Sequence, residues 1–245
     1  MEQFVCLSGL PRSGSTLLSA ILSQNPLIHA EGNSAVCQLM WDLHQSGLTT
    51  AKEQLKANGR EISTMHTLLS NIPKLYYSNL TGTEKIVVDK CRSWTIQANI
   101  SLLEKHIDSN YKIIILERSV TAVVKSFVKL LNANDLNKNN EADNLLNPNS
   151  EPIMRSLAGI NWAKKNNQGN HFLFIQYDDL VRTPAAVLQQ IYEFCGWEPY
   201  AHNYEHIVNK YPENDEVYGL KGMHQIRDTI IVKENNVVLK NCVVD

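Results

Sequence analysis

The chain has 245 residues, of which 43% are hydrophobic and 20% are charged, and its formal net charge is −2 at pH 7. This composition is typical of a globular protein with enough apolar residues for a full core. A nearly balanced charge without a basic stripe argues against a nucleic-acid partner. No apolar stretch is long enough for a signal peptide or a membrane span, so we expect no membrane partner either. The five cysteines are scattered and form no C-x-x-C pair, which favours a reducing, cytoplasmic location.

Short apolar runs and helical patterns alternate along the chain. Runs rich in β-branched or aromatic residues, without polar alternation, predict buried strands at residues 4–7, 86–88, 113–116 and 172–175. Apolar residues at helical spacing follow each run, at residues 17–22, 96–103, 120–131 and 187–194. This order predicts an α/β fold with a parallel sheet flanked by helices.

Two segments interrupt this alternation within what we expect to be one domain over residues 1–245. Residues 34–80 have a mostly helical pattern and are predicted as a helical insertion that caps the sheet edge. Residues 132–152 are rich in Asn, Asp and Pro and predict a flexible surface loop.

The most informative stretch lies between the first strand and the first helix. It reads Gly9-Leu10-Pro11-Arg12-Ser13-Gly14-Ser15-Thr16. A glycine-rich turn of this kind lets backbone N–H groups surround an anion, and the following helix adds the positive end of its dipole. Hydroxyl groups and one guanidinium within the turn add further donors and charge. The sequence therefore predicts a phosphate-binding turn.

The spacing of this turn nearly matches the nucleoside-triphosphate P-loop, G-x-x-x-x-G-K-[ST]. Gly9, Gly14 and Thr16 fit that motif, whereas Ser15 stands where the motif requires lysine. That lysine contacts the β- and γ-phosphates of a triphosphate. Its absence argues against triphosphate hydrolysis and for a nucleotide with a shorter anionic arm.

A second candidate anion site follows the third predicted strand. Arg118 comes at the carboxyl end of that strand, where the ligand crevice of a parallel sheet lies, and can bind a phosphate in bidentate fashion. Ser126 lies about two turns into the next helix, on a side that can face the same anion.

In these features the chain resembles the sulfotransferases that use 3′-phosphoadenosine 5′-phosphosulfate (PAPS). The turn resembles the family's loop for the 5′-phosphosulfate, and Arg118 with Ser126 resembles its pair for the 3′-phosphate. A third segment, Gln176-Tyr177-Asp178-Asp179-Leu180-Val181-Arg182-Thr183-Pro184, is similar to the family's [RK]-Y-[ED]-[ED]-L-x-x-x-P strand-to-helix segment. The three segments occur in the family's order.

The resemblance implies a P-loop-like sulfotransferase fold and transfer of a sulfuryl group to an acceptor hydroxyl or amine. It implies PAPS as co-substrate, adenosine 3′,5′-bisphosphate as product and no required metal. The donor would be held in two separate pockets, at opposite ends of the adenosine. The implied donor-binding residues are Arg12, Ser13, Gly14, Ser15, Thr16, Leu17, Arg118, Ser126, Tyr177, Lys221 and Gly222.

The Pro-Arg-Ser-Gly form of the turn is similar to that of the tyrosylprotein and bacterial sulfotransferase branches. That similarity implies Glu31 as the base that deprotonates the acceptor, with Lys90 and Arg12 stabilising negative charge on the leaving group. His29 and His224 are alternative bases, because a neutral imidazole is a competent base near neutral pH.

The chain also departs from the family's usual pattern in two places. Val120 replaces the proline of the family's Arg-x-Pro, and residues 220–227 do not match its basic Arg-Lys-Gly loop. A P-loop-related nucleotide kinase or hydrolase and a non-catalytic nucleotide-binding module are the competing interpretations. The acceptor stays open among sugars, tyrosyl peptides, lipid-like alcohols, phenols and amines. Its specificity is expected in residues 34–80, residues 132–152 and the C-terminal segment.

Overall fold

A parallel β-sheet forms the centre of the protein in the computed structural model, which describes residues 1–80, 82–136, 145 and 153–230. Within these residues the sheet has five strands in the order β2-β3-β1-β4-β5. The strands are β1 (Gln3–Gly9), β2 (Ile28–His29), β3 (Ile86–Lys90), β4 (Ile113–Glu117) and β5 (Phe172–Gln176). All neighbouring strands pair in parallel.

Helices connect the strands and cover both faces of the sheet. They are α1 (Ser15–Leu22), α2 (Val36–Leu48), α3 (Lys52–Ala57), α4 (Ser63–Tyr76), α5 (Gln97–His106), α6 (Val120–Ala133), α7 (Ile153–Lys165), α8 (Tyr177–Arg182) and α9 (Pro184–Cys195), with 3₁₀ turns at Arg92–Thr95 and Asp215–Tyr218. Helix α9 shows how sequence sets the ends: Pro184 opens its first turn, and Gly196 ends it with φ 70°. None of the described helices is long and apolar enough to cross a bilayer.

Because successive strand side chains point to opposite faces, each strand contributes to two apolar layers. Val5 and Leu7 of β1 pack with α1, α8 and α9, whereas Cys6 packs on the opposite face against α2 and α4 to α7. Strands covered on both faces explain the continuous apolar runs in the sequence.

The predicted α/β architecture with a parallel sheet is confirmed, and each of the four predicted strands is present. The helical pattern of residues 34–80 corresponds to α2, α3 and α4. Strand β2 and helix α7 were not predicted: a strand of two residues shows no period, and α7 begins directly after the segment predicted as a loop. The first two residues of that predicted loop, Asn132 and Ala133, belong to α6. Residues 137–144 and 146–152 of the loop lie outside the residues that the structure describes.

The strand order creates a crevice beside β1. The chain leaves β1 toward β2 on one side of the sheet and leaves β4 toward β5 on the other, although β1 and β4 are neighbours. In open parallel sheets ligands bind at the carboxyl ends of such a strand pair. Gly9 and Glu117, the last residues of β1 and β4, therefore deliver the phosphate-binding turn and Arg118 to one place.

Candidate active site

The turn after β1 has a backbone that requires its glycines. Gly9 has φ 152°, and a side chain there would clash with the carbonyl oxygen of Leu116 in β4. Gly14 has φ 96°, and a Cβ at this position would lie 2.6 Å from the ring of Tyr177. Arg12 also adopts a left-handed conformation, with φ 60°, which is uncommon for a residue with a side chain. The turn is thus fixed between β4 and the first residue of α8.

Arg118 and Ser126 lie directly beside this turn. Nη1 of Arg118 donates to the carbonyl oxygen of Arg12 at 2.8 Å, and the guanidinium stacks over the ring of Tyr177 at 4.3 Å. Nε of Arg12 donates to Oγ of Ser126 at 3.2 Å, and its Nη1 donates to the carbonyl oxygen of Met223. Burial, followed by the charge of Arg118, lowers the pKa of Arg12.

These contacts join the two predicted anion sites. Arg12 of the turn touches Ser126 of α6, so the structure brings together in one cavity what the sequence predicted as two separate pockets.

Lys90 brings a third cation to the turn from the carboxyl end of β3. The side chain is buried, and its Nζ lies 3.2 Å from Oγ1 of Thr16 and 3.3 Å from Oε2 of Glu213. Burial lowers the pKa of Lys90, and the neighbouring carboxylate of Glu213 opposes that shift. Lys90 therefore places an ammonium group beside the start of α1, although Ser15 replaces the lysine of the P-loop motif.

A buried carboxylate orients the end of β3. Asp89 is fully buried and accepts hydrogen bonds from Oγ of Ser34 at 2.5 Å, from the hydroxyl of Tyr77 at 2.8 Å and from Nε1 of Trp94 at 2.6 Å. Burial raises the pKa of Asp89, and the three donors oppose that shift. The contacts tie the segment just before α2, the residue after α4 and the 3₁₀ turn to the strand that presents Lys90.

The turn, α6, β3 and the C-terminal segment enclose a cavity of about 700 Å³. Cavities of this size hold small molecules such as nucleotides. Among the described residues its lining contains no Asp or Glu but has eight basic side chains, although the whole chain has a net charge of −2. They are Arg12, Lys90, Arg92, Arg118, Lys125, Lys129, Lys221 and Arg227. The cavity is therefore suited to a ligand with more than one anionic group.

The sequence profile described as the sulfotransferase family matches residues 5–202. The chain belongs to the sulfotransferase family. The match includes the turn, Lys90, the Arg118–Ser126 pair and the segment around Tyr177, but it ends before the residues of the C-terminal segment that line the cavity. Membership supports sulfuryl transfer as the general activity and identifies the protein as a transferase.

Solved sulfotransferase structures share the fold of this sulfotransferase. The domain from the Synechococcus PCC 7002 olefin synthase matches with a TM-score of 0.59 and 21% identity, over 94% of this chain and 84% of that one. A sulfotransferase from Alicyclobacillus acidocaldarius matches with a TM-score of 0.56 and 11% identity, over 88% of this chain and 87% of that one. The sulfotransferase domain from the curacin biosynthetic pathway matches with a TM-score of 0.51 and 21% identity, over 81% of this chain and 74% of that one. The comparison with curated proteins gave no match.

Most of the residues predicted to bind the donor line the cavity of this sulfotransferase. They are Arg12, Gly14, Ser15, Thr16, Leu17, Arg118, Ser126, Tyr177, Lys221 and Gly222, and the predicted catalytic Lys90 lines it as well. Ser13 does not line it. The Ser13 side chain is fully buried, its N–H donates to the carbonyl oxygen of Leu10 at 3.2 Å, and its Oγ has no hydrogen-bond partner among the described residues.

Glu31, the predicted base, also lies outside the cavity lining. Its Oε2 is 3.0 Å from Nε2 of His29, and the His29 ring is buried against the rings of Tyr77 and Tyr211. His224, the other alternative base, does line the cavity. The structure therefore brings His224, but not His29 or Glu31, to the cavity.

Several residues at the site were not predicted. Lys125 and Lys129 flank Ser126 on one face of α6, and their spacing of four residues could have indicated that face. Arg92 begins the 3₁₀ turn after β3, where no sequence pattern singles it out. Glu213 and Asp215 reach the site through His224. Among the described residues, no group of three or more His, Cys, Asp or Glu side chains is arranged to hold a metal ion.

A short network links these last residues. Nε2 of His224 lies 3.2 Å from Oε2 of Glu213, and Nδ1 lies 2.6 Å from Oδ1 of Asp215. Burial of the Asp215 carboxyl opposes its ionisation, but hydrogen bonds from the backbone and ring of His224 outweigh it, so the pKa of Asp215 is lowered.

Proposed function

We propose that this protein transfers the sulfuryl group of PAPS to an acceptor hydroxyl or amine and releases adenosine 3′,5′-bisphosphate. The observation that carries the proposal is the cavity itself. The cavity lies at a glycine-rich turn before a helix, and eight basic side chains line it. They include Arg118, which stacks on Tyr177 and donates to the carbonyl oxygen of Arg12, and the buried Lys90, which contacts Thr16. PAPS has anionic groups on both sides of its ribose, which matches this distribution of charge.

The residues present fit such a donor. Backbone N–H groups at the start of α1, with the hydroxyls of Ser15 and Thr16, are suited to the 5′-phosphosulfate. Arg118 and Ser126 are suited to the 3′-phosphate, since a guanidinium and a hydroxyl both donate to phosphate oxygens. The ring of Tyr177 holds the guanidinium of Arg118 in place by stacking at 4.3 Å. Lys221 and Gly222 would close the cavity from the C-terminal segment.

PAPS supplies the sulfuryl group and a phosphate leaving group, and the protein must stabilise the negative charge that develops as the bond to sulfur breaks. Lys90 and Arg12 are the cations positioned for this role. Lys90 is buried and Arg12 is half-buried, and hydrogen bonds already orient both, so they need little reorganisation during the reaction. The same arrangement serves phosphoryl transfer, where catalysis is mainly positioning and charge stabilisation.

A P-loop kinase or hydrolase is the weaker alternative. Its triphosphate would need the lysine that Ser15 replaces, and the ammonium group of Lys90 comes from another strand. Membership of the sulfotransferase family favours the shorter anionic arm of PAPS as well.

Isothermal titration calorimetry tests the donor. We expect wild-type protein to bind adenosine 3′,5′-bisphosphate and to bind Mg·ATP at least about tenfold more weakly. Arg118→Ala should weaken bisphosphate binding by about 30- to 100-fold, because it removes charge-assisted hydrogen bonds of about 2–3 kcal/mol. Arg60→Ala, at an exposed arginine outside the cavity lining, is the matched control and should bind as wild type does. Preferential binding of Mg·ATP, or no effect of Arg118→Ala, would contradict the proposal.

A further inference from the structure

A carboxylate from the C-terminal segment lies at the end of β3. Oε2 of Glu213 is 3.3 Å from Nζ of Lys90, and Oε1 accepts the backbone N–H of Asn33 at 2.8 Å. The carboxyl group packs so closely over Gly32 that a Cβ there would clash with it. Glu213 therefore occupies the space beside the backbone that directly follows Glu31. Its side chain keeps 12% of its surface exposed.

The imidazole of His224 connects Glu213 to a second carboxylate. Its Nε2 faces Oε2 of Glu213 at 3.2 Å, and its Nδ1 faces Oδ1 of Asp215 at 2.6 Å. The backbone N–H of His224 also donates to Oδ2 of Asp215 at 3.0 Å, which fixes the residue to the 3₁₀ turn that begins with Asp215. The Asp215 carboxylate orients the His224 ring through Nδ1, and the ring's Nε2 therefore points at Glu213.

The position of Glu213 agrees with the role that the family resemblance implies for Glu31. A base must lie within hydrogen-bond reach of the acceptor and near the cation that stabilises the reacting group. Glu213 contacts Lys90, which in turn contacts Thr16 of the phosphate-binding turn at 3.2 Å. Glu31 contacts His29 instead. Neither carboxylate lines the cavity, but Glu213 contacts two residues that do, Lys90 and His224.

We propose that Glu213 is the catalytic base, with His224 and Asp215 as positioning residues. The proposal rests on the proposed function. In the transfer step the acceptor oxygen or nitrogen forms a bond to sulfur while the bond from sulfur to the bridging oxygen breaks. The electron pair of the broken bond leaves on adenosine 3′,5′-bisphosphate, and the acceptor's proton goes to Oε2 of Glu213. Nε2 of His224 lies within hydrogen-bond reach of that oxygen and can receive the proton next.

Transfer of label from ³⁵S-PAPS tests this role, with water, phenols, aliphatic alcohols and amines as acceptors. Glu213→Gln should lower the rate of transfer by about 100-fold or more, the usual contribution of a general base. Glu31→Gln, the rival candidate, should stay within about threefold of wild type. Glu2→Gln, at an exposed residue paired with Lys85, is the neutral control. A large loss in Glu31→Gln together with an active Glu213→Gln would overturn the assignment, as would no transfer by a wild-type protein that binds the bisphosphate.

Calorimetry with adenosine 3′,5′-bisphosphate gives a second readout that does not depend on turnover. Because Glu213 pairs with Lys90, it competes with an anionic ligand for that cation. Glu213→Gln should bind the bisphosphate about three- to tenfold more tightly than wild type, while Glu31→Gln binds as wild type does. Weaker or unchanged binding by Glu213→Gln would count against the Lys90 contact. Failure of wild type to bind the bisphosphate at all would instead reject the proposed function itself.

The positioning residues have their own signature. Asp215→Asn and His224→Gln should lower kcat by about tenfold, while the Kd for the bisphosphate stays within about threefold of the wild-type value. A merely structural role would lower kcat and bisphosphate affinity together. Glu213→Asp, which keeps the carboxylate on a shorter side chain, should retain more activity than Glu213→Gln, and the reverse order would exclude a carboxylate base.

Discussion

The two halves of the cavity are held in place by different kinds of contact. The half at the strand ends, built from the turn after β1 and from Arg118 after β4, is fixed by backbone geometry and burial: Gly9 and Gly14 admit no side chain, and strand pairing sets the distance between β1 and β4. The C-terminal half is lined by residues 221–227 and supported from outside the lining by Glu213 and Asp215, and it is held mainly by ion pairs and hydrogen bonds to side chains. The fold itself provides the side that we propose binds the donor, whereas the C-terminal segment places acidic groups against Lys90 and His224.

This difference leads us to expect that variants on the strand-end side change stability or chemistry strongly, and that variants in the C-terminal segment change stability only slightly.

The largest effect is expected where the two halves meet, at Lys90. Lys90→Met keeps the length of the side chain and removes the buried ammonium group. Transfer from ³⁵S-PAPS should fall by about 10²- to 10³-fold, because one preorganised charge contact at a reacting group contributes about 3–4 kcal/mol. Lys85→Met, just before the same strand and exposed to solvent, is the matched control. A Lys90→Met protein with near wild-type transfer would mean that charge on the leaving group is stabilised elsewhere.

A smaller effect, on stability, is expected from the support beneath the strand-end half. Asp89→Asn turns an amide N–H toward at least one of the three donors that now meet the carboxylate. We expect the free energy of unfolding in urea to drop by about 2–3 kcal/mol, since a buried donor is left unsatisfied. Tyr77→Phe removes only one of these donors and should cost about 1 kcal/mol. An Asp89→Asn variant as stable as wild type would show that the network does not hold the end of β3.

The smallest effect is expected in the C-terminal half, from Asp215. Because the pKa of Asp215 is lowered in the folded protein, the ionised form stabilises the fold above the ordinary value of about 3.9, and this contribution is lost as the pH falls through the folded value. Wild type should therefore be more stable than Asp215→Asn by about 0.5–1 kcal/mol at pH 6, with a difference that shrinks below pH 4. Urea unfolding at several pH values measures it, and a difference that does not vary with pH would rule out this account of Asp215.

The same contrast explains what the sequence could predict. The turn shows its chemistry locally, because Gly9, Gly14 and the hydroxyl residues between and after them follow one strand directly. Arg118 was predicted for a similar reason, since any residue at the carboxyl end of a parallel strand lies near the crevice. Both predictions, the turn and Arg118, require only that the segments before them are recognised as parallel strands.

The acidic groups could not be predicted in this way. Glu213 is 123 residues from Lys90 in the chain, and no periodic pattern or turn signature relates the two. The family resemblance implied Glu31 as the base, and in the structure the Glu31 side chain contacts His29. Ser13 was predicted from the motif to contact the donor, but its side chain is fully buried against Gly9 in the tight turn. Side-chain direction in a short turn follows from packing, which the motif does not specify.

A crystal structure with adenosine 3′,5′-bisphosphate would locate both phosphates at once. We expect the 5′-phosphate at the N–H groups of Ser15 and Thr16 and the 3′-phosphate against Arg118 and Ser126, within the basic cavity described above. A nucleotide bound elsewhere, or a 5′-phosphate that makes no contact with the turn after β1, would show that the basic cavity is not the donor site.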